Sequence, residues 1–358
     1  MIVPSVPVVP NLLLHRPVRI PVLLLSALAV GALGLIGRAH AGTPPDPGPP
    51  VVVALGDSAA SGEGAGDYEP GTRGEGGDWC HRSPAAYVHH TSPAERGVNL
   101  ACSGADSAQV GLGTAVRFTE GSQAARLTEL ARRNRVTAVT VQVGANDEPD
   151  LSGTAVACIR AFLDLREPGC RYSLGPIWAQ RTAAVEPRVE GVVRSVRSAM
   201  GAAGYGDADY ALVLLSYAAL GSETMPVWHG VIGCPYSRPD AAWARTEAFP
   251  LLAEAIGRVA ERTGARFLDL TRLAEGREAC TGTERTEWQR RLSVDPRSLV
   301  QGTLGEAGMR LFQESFHPTA AAHAAIGRCL AEFVPTGAAR SACVPGPDGQ
   351  AHTEAVAA

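Results

Sequence analysis

The sequence predicts an α/β fold built on a parallel β-sheet with helices on both faces. Two observations lead there. Short apolar, β-branched runs alternate along the chain with segments whose apolar residues recur at helical spacing. No internal repeat and no linker interrupts residues 51–333, so these elements belong to one domain.

The first strand is expected over residues 51–55, ending in Gly56. A short second covers 98–101. The third covers 136–143, with Val139, Val141 and Val143 at strand spacing, and the fourth and fifth cover 210–215 and 265–270. Residues 122–135 read as a helix. Val185, Val189, Val192, Val193, Val196 and Met200 form the stripe of a second helix, whose first turn suits Pro187. Residues 241–262 are helical with Pro250 at a kink or boundary. Residues 319–333 close the domain as a helix, because Pro318 stands just before a run of Ala, Ile and Leu. Three long Gly-rich or polar excursions, 62–78, 221–240 and 275–314, are expected where loops leave the carboxyl ends of the strands and sites form.

The 358 residues carry 32 basic side chains, all arginine, against 36 acids. Hydrophobic residues make up 45% of the chain, enough to bury a core and exclude wholesale disorder. Arg16 and Arg19 precede an apolar run over residues 20–36, and Ala39-His40-Ala41 offers the small-x-small pattern that signal peptidase reads. The expected organisation is a signal peptide over 1–41, a Pro-rich segment over 42–50, the domain over 51–333 and a tail over 334–358. A retained anchor is the alternative, since roughly 17 apolar residues lie at the lower limit for crossing a bilayer. Translation could also begin after Met1, because the stretch before Arg16 is long for an n-region.

Cleavage leaves 317 residues with 29 arginines against 36 acids, a net charge of −7. That balance disfavours nucleic acid and adsorption to anionic membranes. The expectation is a secreted, extracellular monomer with no stable membrane insertion. The absence of lysine excludes a Walker phosphate loop and any lysine base.

All eight cysteines follow the cleavage point, and an even number in an exported chain reads as disulfides. No Cys-x-x-Cys pair suggests a metal. Sequential pairing would join 80 with 102, 158 with 170, 234 with 280 and 329 with 343, although spacing proves none of these pairs.

Four segments could carry chemistry. Leu55-Gly56-Asp57-Ser58 places a serine just beyond the first strand, where a strand-to-helix turn exposes its hydroxyl beside free N–H groups. The same residues could equally cap the next helix. Residues 99–105 bring Gly104 after the second strand, where the backbone can approach a ligand or simply turn. Asn146 and Asp147 follow the third strand, and an asparagine amide is a neutral donor suited to a developing oxyanion. Residues 314–319 put His317 before the last helix, able to take a proton from Ser58, with Glu314 able to hold its other ring nitrogen. His323 is assigned to packing within the helix.

In this order, Gly-Asp-Ser, Gly104, Gly-x-Asn-Asp and His-Pro-Thr resemble the four blocks of the SGNH or GDSL hydrolases. Within that superfamily the chain is similar to the secreted, disulfide-containing esterases and lipases of actinobacteria, over roughly residues 51–333. The resemblance implies a flavodoxin-like three-layer α/β/α sandwich around a five-stranded parallel sheet. It implies Ser58 as nucleophile, His317 as general base and acid, and an oxyanion hole of the Ser58 and Gly104 N–H groups with the Asn146 amide. Asp57 would brace the turn. Three disulfides match the family's: Cys80 with Cys102, Cys158 with Cys170 and Cys234 with Cys280. The pair Cys329 with Cys343 has no counterpart in it. No metal or organic cofactor is implied.

The chain departs from the family at three places. Glu314 stands where many relatives have aspartate, and in the actinobacterial subgroup a main-chain carbonyl can orient the histidine instead. Ala59 replaces a larger apolar residue. Glu148-Pro149-Asp150 follow the Asn block where relatives are often glycine and apolar. These last changes suggest a roomier, more acidic site and a short-chain or polar ester. The alternatives are a lipase or phospholipase, or a catalytically silent wall- or carbohydrate-binding module; a small-molecule, lipid or polysaccharide ester remains the expected partner.

Overall fold

The computed structural model of the chain describes residues 48–92, 94–164, 166–294 and 312–356. The expected signal peptide, its cleavage site and most of the 42–50 segment lie outside the described residues, as does part of the 275–314 excursion.

Strands β1 (Pro50–Gly56), β2 (Arg96–Asn99), β3 (Arg135–Gln142), β4 (Ala211–Leu215), β5 (Arg266–Asp269), β6 (Arg340–Pro345) and β7 (Ala351–Glu354) form one sheet in the order β2-β1-β3-β4-β5-β6-β7. Neighbours from β2 through β6 pair parallel, and β7 pairs antiparallel with β6. The five-stranded sheet expected from the sequence is thus seven-stranded. The added strands lie within residues 340–354 and lack the sustained apolar run that marks β1, β3 and β4. Their pattern Arg-Ser-Ala-Cys-Val-Pro and Ala-His-Thr-Glu gives little strand signal, and pairing orders them, β6 beside β5 and β7 at the edge.

The helices are α1 (Ser58–Ser61), α2 (Ser107–Val110), α3 (Gln123–Ala131), α4 (Leu151–Leu163), α5 (Cys170–Ala183), α6 (Glu186–Ala202), α7 (Arg238–Trp243), α8 (Phe249–Thr263) and α9 (Ala320–Thr336). Ser122 caps α3 by accepting from Ala125 N–H, and that helix stops at Ala131, short of the expected 135. Pro187 does sit in the first turn of α6. The single helix expected over 241–262 is α7 and α8 joined by one wide turn, Ala244–Ala248, with Pro250 in the first turn of α8. Helices α4 and α5 have no counterpart in the sequence reading. None of α4's side chains is fully buried, so it shows no clean apolar stripe.

Alternation along the strands divides the core in two. Val51, Val53 and Leu55 pack with Leu127 of α3, the Val189, Val192, Val193 and Val196 stripe of α6, and Leu252 and Ile256 of α8. Val52 and Ala54 point the other way, against Tyr87 and the Ala325, Ile326, Leu330 and Phe333 face of α9. Burying each Val, Leu, Ile or Phe among them contributes about 1.5–3 kcal/mol. None of the helices among the described residues is long and apolar enough to cross a membrane.

Four disulfides join Cys80 to Cys102, Cys158 to Cys170, Cys234 to Cys280 and Cys329 to Cys343. The second staples α4 to the start of α5, the third ties the 221–240 excursion to the next, and the fourth fastens α9 to β6.

Candidate active site

The carboxyl end of β1 is shaped by Gly56. Its φ of 144° and the closeness of the Gln142 carbonyl oxygen, which a Cβ would overlap, leave room only for glycine. The Gln123 amide closes this strand end by donating to Gly56 O and accepting from Gly56 N, both at 2.8 Å. The chain then turns into the single turn of α1, with Asp57 as its cap, accepting from Ala59 N–H at 2.9 Å.

Asp57 is buried completely, and its other carboxylate oxygen accepts from Tyr217 Oη at 2.5 Å. Burial pushes this carboxyl up to about 7, with the Tyr217 and Ala59 hydrogen bonds opposing. Tyr217 Oη also accepts from Ala145 N–H at 3.2 Å, so one hydroxyl joins the serine turn to the Asn146 block. Sequence reasoning missed it, since a lone tyrosine after a strand carries no motif.

Ser58 lies one residue on, its Oγ 2.7 Å from His317 Nε2. The other ring nitrogen, Nδ1, donates to the Ser315 carbonyl at 2.9 Å, which leaves the Nε2 lone pair facing the serine hydroxyl. Burial lowers the pKa of His317 below its ordinary value, so the ring is neutral at neutral pH. Glu314 does not hold this histidine. Its carboxylate faces Arg290 Nη1 at 3.2 Å, and Arg290 in turn donates its backbone N–H to His317 O at 2.8 Å. Loop geometry alone decides between Glu314 and Ser315, because a main-chain carbonyl has no residue signature.

Gly104 sits in the left-handed region with φ of 74°, and a Cβ there would overlap the Arg117 guanidinium. Asn146 is tied to this segment, since its Nδ2 donates to Ala105 O at 2.9 Å. Asp147 receives Ser107 N–H and Oγ at 3.0 and 2.7 Å. Serine turn, Gly104 segment, Asn146 turn and His317 loop thus meet at the carboxyl edge of the sheet. His323 stays behind it: the ring is fully buried, its Nδ1 accepts from Tyr87 N–H at 3.3 Å, and burial pushes its pKa down to about 3.

Ser58, Ala59, Tyr217 and His317 line a cleft together with Leu220, Phe249 and Phe316. The last three also wall a neighbouring apolar cavity, which Leu151, Ala155, Trp178 and Trp243 line as well. Asp240 reaches that wall, but its carboxylate is held by Arg171 Nη1 at 3.1 Å and by Ser237 Oγ at 2.6 Å. Glu148 is likewise engaged by Arg181 Nε at 2.7 Å, and Asp150 caps α4. Among the described residues, Cys80, Cys102 and Glu120 have metal-ligand proximity, yet the sulfurs form a disulfide and Glu120 is held by Arg82 and Arg126.

Residues 54–325 match the family model described as GDSL-like Lipase/Acylhydrolase. The chain is similar to the solved structure of phospholipase A1 from Streptomyces albidoflavus NA297, with 23% identity, coverage of 76% of this chain and 93% of that one, and a TM-score of 0.50. It also matches an extracellular lipase from Streptomyces rimosus, at 22% identity, 76% and 94% coverage and a TM-score of 0.47. At these identities the likeness concerns the fold. No curated protein matches the sequence.

Proposed function

The chain belongs to the GDSL-like lipase/acylhydrolase family and is a carboxylic ester hydrolase, and we propose that it works through an acyl-serine intermediate on Ser58. The observation that carries this reading is the chain of two hydrogen bonds from Ser58 Oγ to His317 Nε2 and from His317 Nδ1 to the Ser315 carbonyl. His317 takes the hydroxyl proton as Ser58 attacks the ester carbonyl. The Ser58 and Gly104 N–H groups and the second Asn146 Nδ2 proton receive the oxyanion. The protonated ring then gives its proton to the leaving alcohol, and water repeats the sequence on the acyl-enzyme. Asp57 braces the turn and takes no proton from His317. The domain is read as a flavodoxin-like three-layer sandwich, exported after loss of residues 1–41; four disulfides support export.

The acyl chain enters the apolar cavity behind Leu220, Phe249 and Phe316. This reading differs from the short-chain or polar preference expected from Ala59 and Glu148, and it is supported by the apolar cavity walls and by the pairing of Glu148 with Arg181. Each methylene placed there is worth up to about 0.8 kcal/mol. With p-nitrophenyl esters, kcat/KM is expected to rise from acetate to octanoate, and a maximum at acetate refutes the assignment of the cavity. Ser58→Ala abolishes turnover of every ester in the series; retained turnover removes the nucleophile assignment.

A further inference from the structure

A second buried acid lies close to the Ser58 and His317 pair, and neither motif nor mechanism accounts for it. Glu63 follows α1 and is wholly inaccessible to solvent. His81 Nδ1 lies 2.9 and 3.0 Å from its two carboxylate oxygens, Tyr68 Oη donates to Oε1 at 3.1 Å, and Gln313 Nε2 donates to Oε2 at 2.9 Å. A carboxylate is removed from water at considerable cost, and this one is compensated from three sides. The Tyr68 ring also stacks on His81, with centroids 4.1 Å apart.

Gln313 connects this charge to the reacting groups. Its Nε2 also lies 3.1 Å from Trp79 O and 2.9 Å from Ser103 Oγ, the residue before Gly104. Two residues after Gln313 comes Ser315, whose carbonyl orients His317. Gly64, next to Glu63, is so close to His317 that a Cβ there would come within 2.8 Å of the histidine Cβ.

Building on the serine-hydrolase reading, we propose that Glu63 is the positioning and countercharge residue of the site. Held by His81, it anchors Gln313 and hence the His317 loop and Gly104 segment, and its charge stabilises the imidazolium formed when Ser58 gives up its proton. A main-chain carbonyl can orient His317 but carries no full charge, and Glu314 is committed to Arg290. The ionisable groups around His317 are Glu63, Glu314 with Arg290, and the imidazoles of His81 and His323. Of the acids, Glu63 raises the pKa of His317 more than Glu314 does, against the downward pull of burial. Reciprocally, burial pushes Glu63 up, but His81 and then His317 bring it below its ordinary value, so it is ionised.

The test compares Glu63→Gln, Gln313→Leu, Glu314→Gln and Ser58→Ala in kcat and KM across pH with p-nitrophenyl butyrate. Glu63→Gln is expected to lower kcat about tenfold, a fraction of what a general base supplies, with KM unchanged and the acid limb of kcat/KM displaced to lower pH. Gln313→Leu, which removes the tether but no charge, lowers kcat with the acid limb in place. Wild-type kcat and an unmoved limb in a folded Glu63→Gln protein overturn the proposal. If Glu63→Gln does not fold, Gln313→Leu decides: a kcat loss supports the proposal and a wild-type kcat overturns it. Activity surviving in Ser58→Ala would instead overturn the underlying reading of the site.

Discussion

Replacing Asp57 by asparagine keeps the shape of the cap and removes its charge. In the folded protein the carboxyl is wholly buried and titrates at about 7, against 3.8 in the unfolded chain. Because the folded state holds the proton more tightly, this group stabilises the fold most below pH 3.8. That contribution fades as pH rises and is gone above about 7. About three pKa units at ~1.4 kcal/mol each give a span of about 4 kcal/mol. Asp57→Asn carries no titrating group there, so the wild type should lose about 4 kcal/mol relative to the variant between about pH 4 and pH 8. Urea denaturation of both proteins, disulfides intact, at several pH values measures this difference and cancels every group they share. A difference that stays flat across that range refutes the assignment of a buried carboxyl in need of its proton.

Other expectations follow from the same geometry. Asn146→Ala should lower kcat by about 10²–10³-fold if its free amide proton meets the oxyanion, and steady-state kinetics at saturating ester measures it. Glu314→Gln should keep most of its activity, because Ser315 O holds His317 Nδ1. A loss of about 10⁴-fold there would restore the carboxylate as the third member. Replacing Cys329 and Cys343 by serine should lower stability by about 3 kcal/mol, given the short loop the bond closes, with kcat unchanged because the bond joins α9 to β6; a thermal melt and an esterase assay check both.

The strands that build the site were legible where buried, β-branched runs meet a turn. Residues 51–55 ended at Gly56 as expected, and the α6 stripe fell into the core. Helices α4 and α5 were not legible, since α4 buries no side chain fully and α5 carries Pro176 inside it. Strands β6 and β7 were missed because their short mixed segments carry no apolar run and take their order from pairing, β6 between β5 and β7 and β7 at the edge.

Local chemistry determined a great deal by itself: an α/β domain, a serine and a histidine at opposite ends of it, an asparagine after the third strand, and the family those blocks resemble. Each of these depends on a few adjacent residues, and short-range sterics and capping act over that distance. The tertiary structure decided what depends on distant residues or on backbone atoms. It placed Ser58 against His317 across 259 positions and chose the Ser315 carbonyl over Glu314. It set Glu63 against Gln313 across 250 positions, paired the cysteines and brought together the lining of the apolar cavity. The physical reason is that hydrogen-bond choice, burial and charge compensation are properties of the packed neighbourhood, and the folded sheet assembles that neighbourhood from loops far apart in the chain.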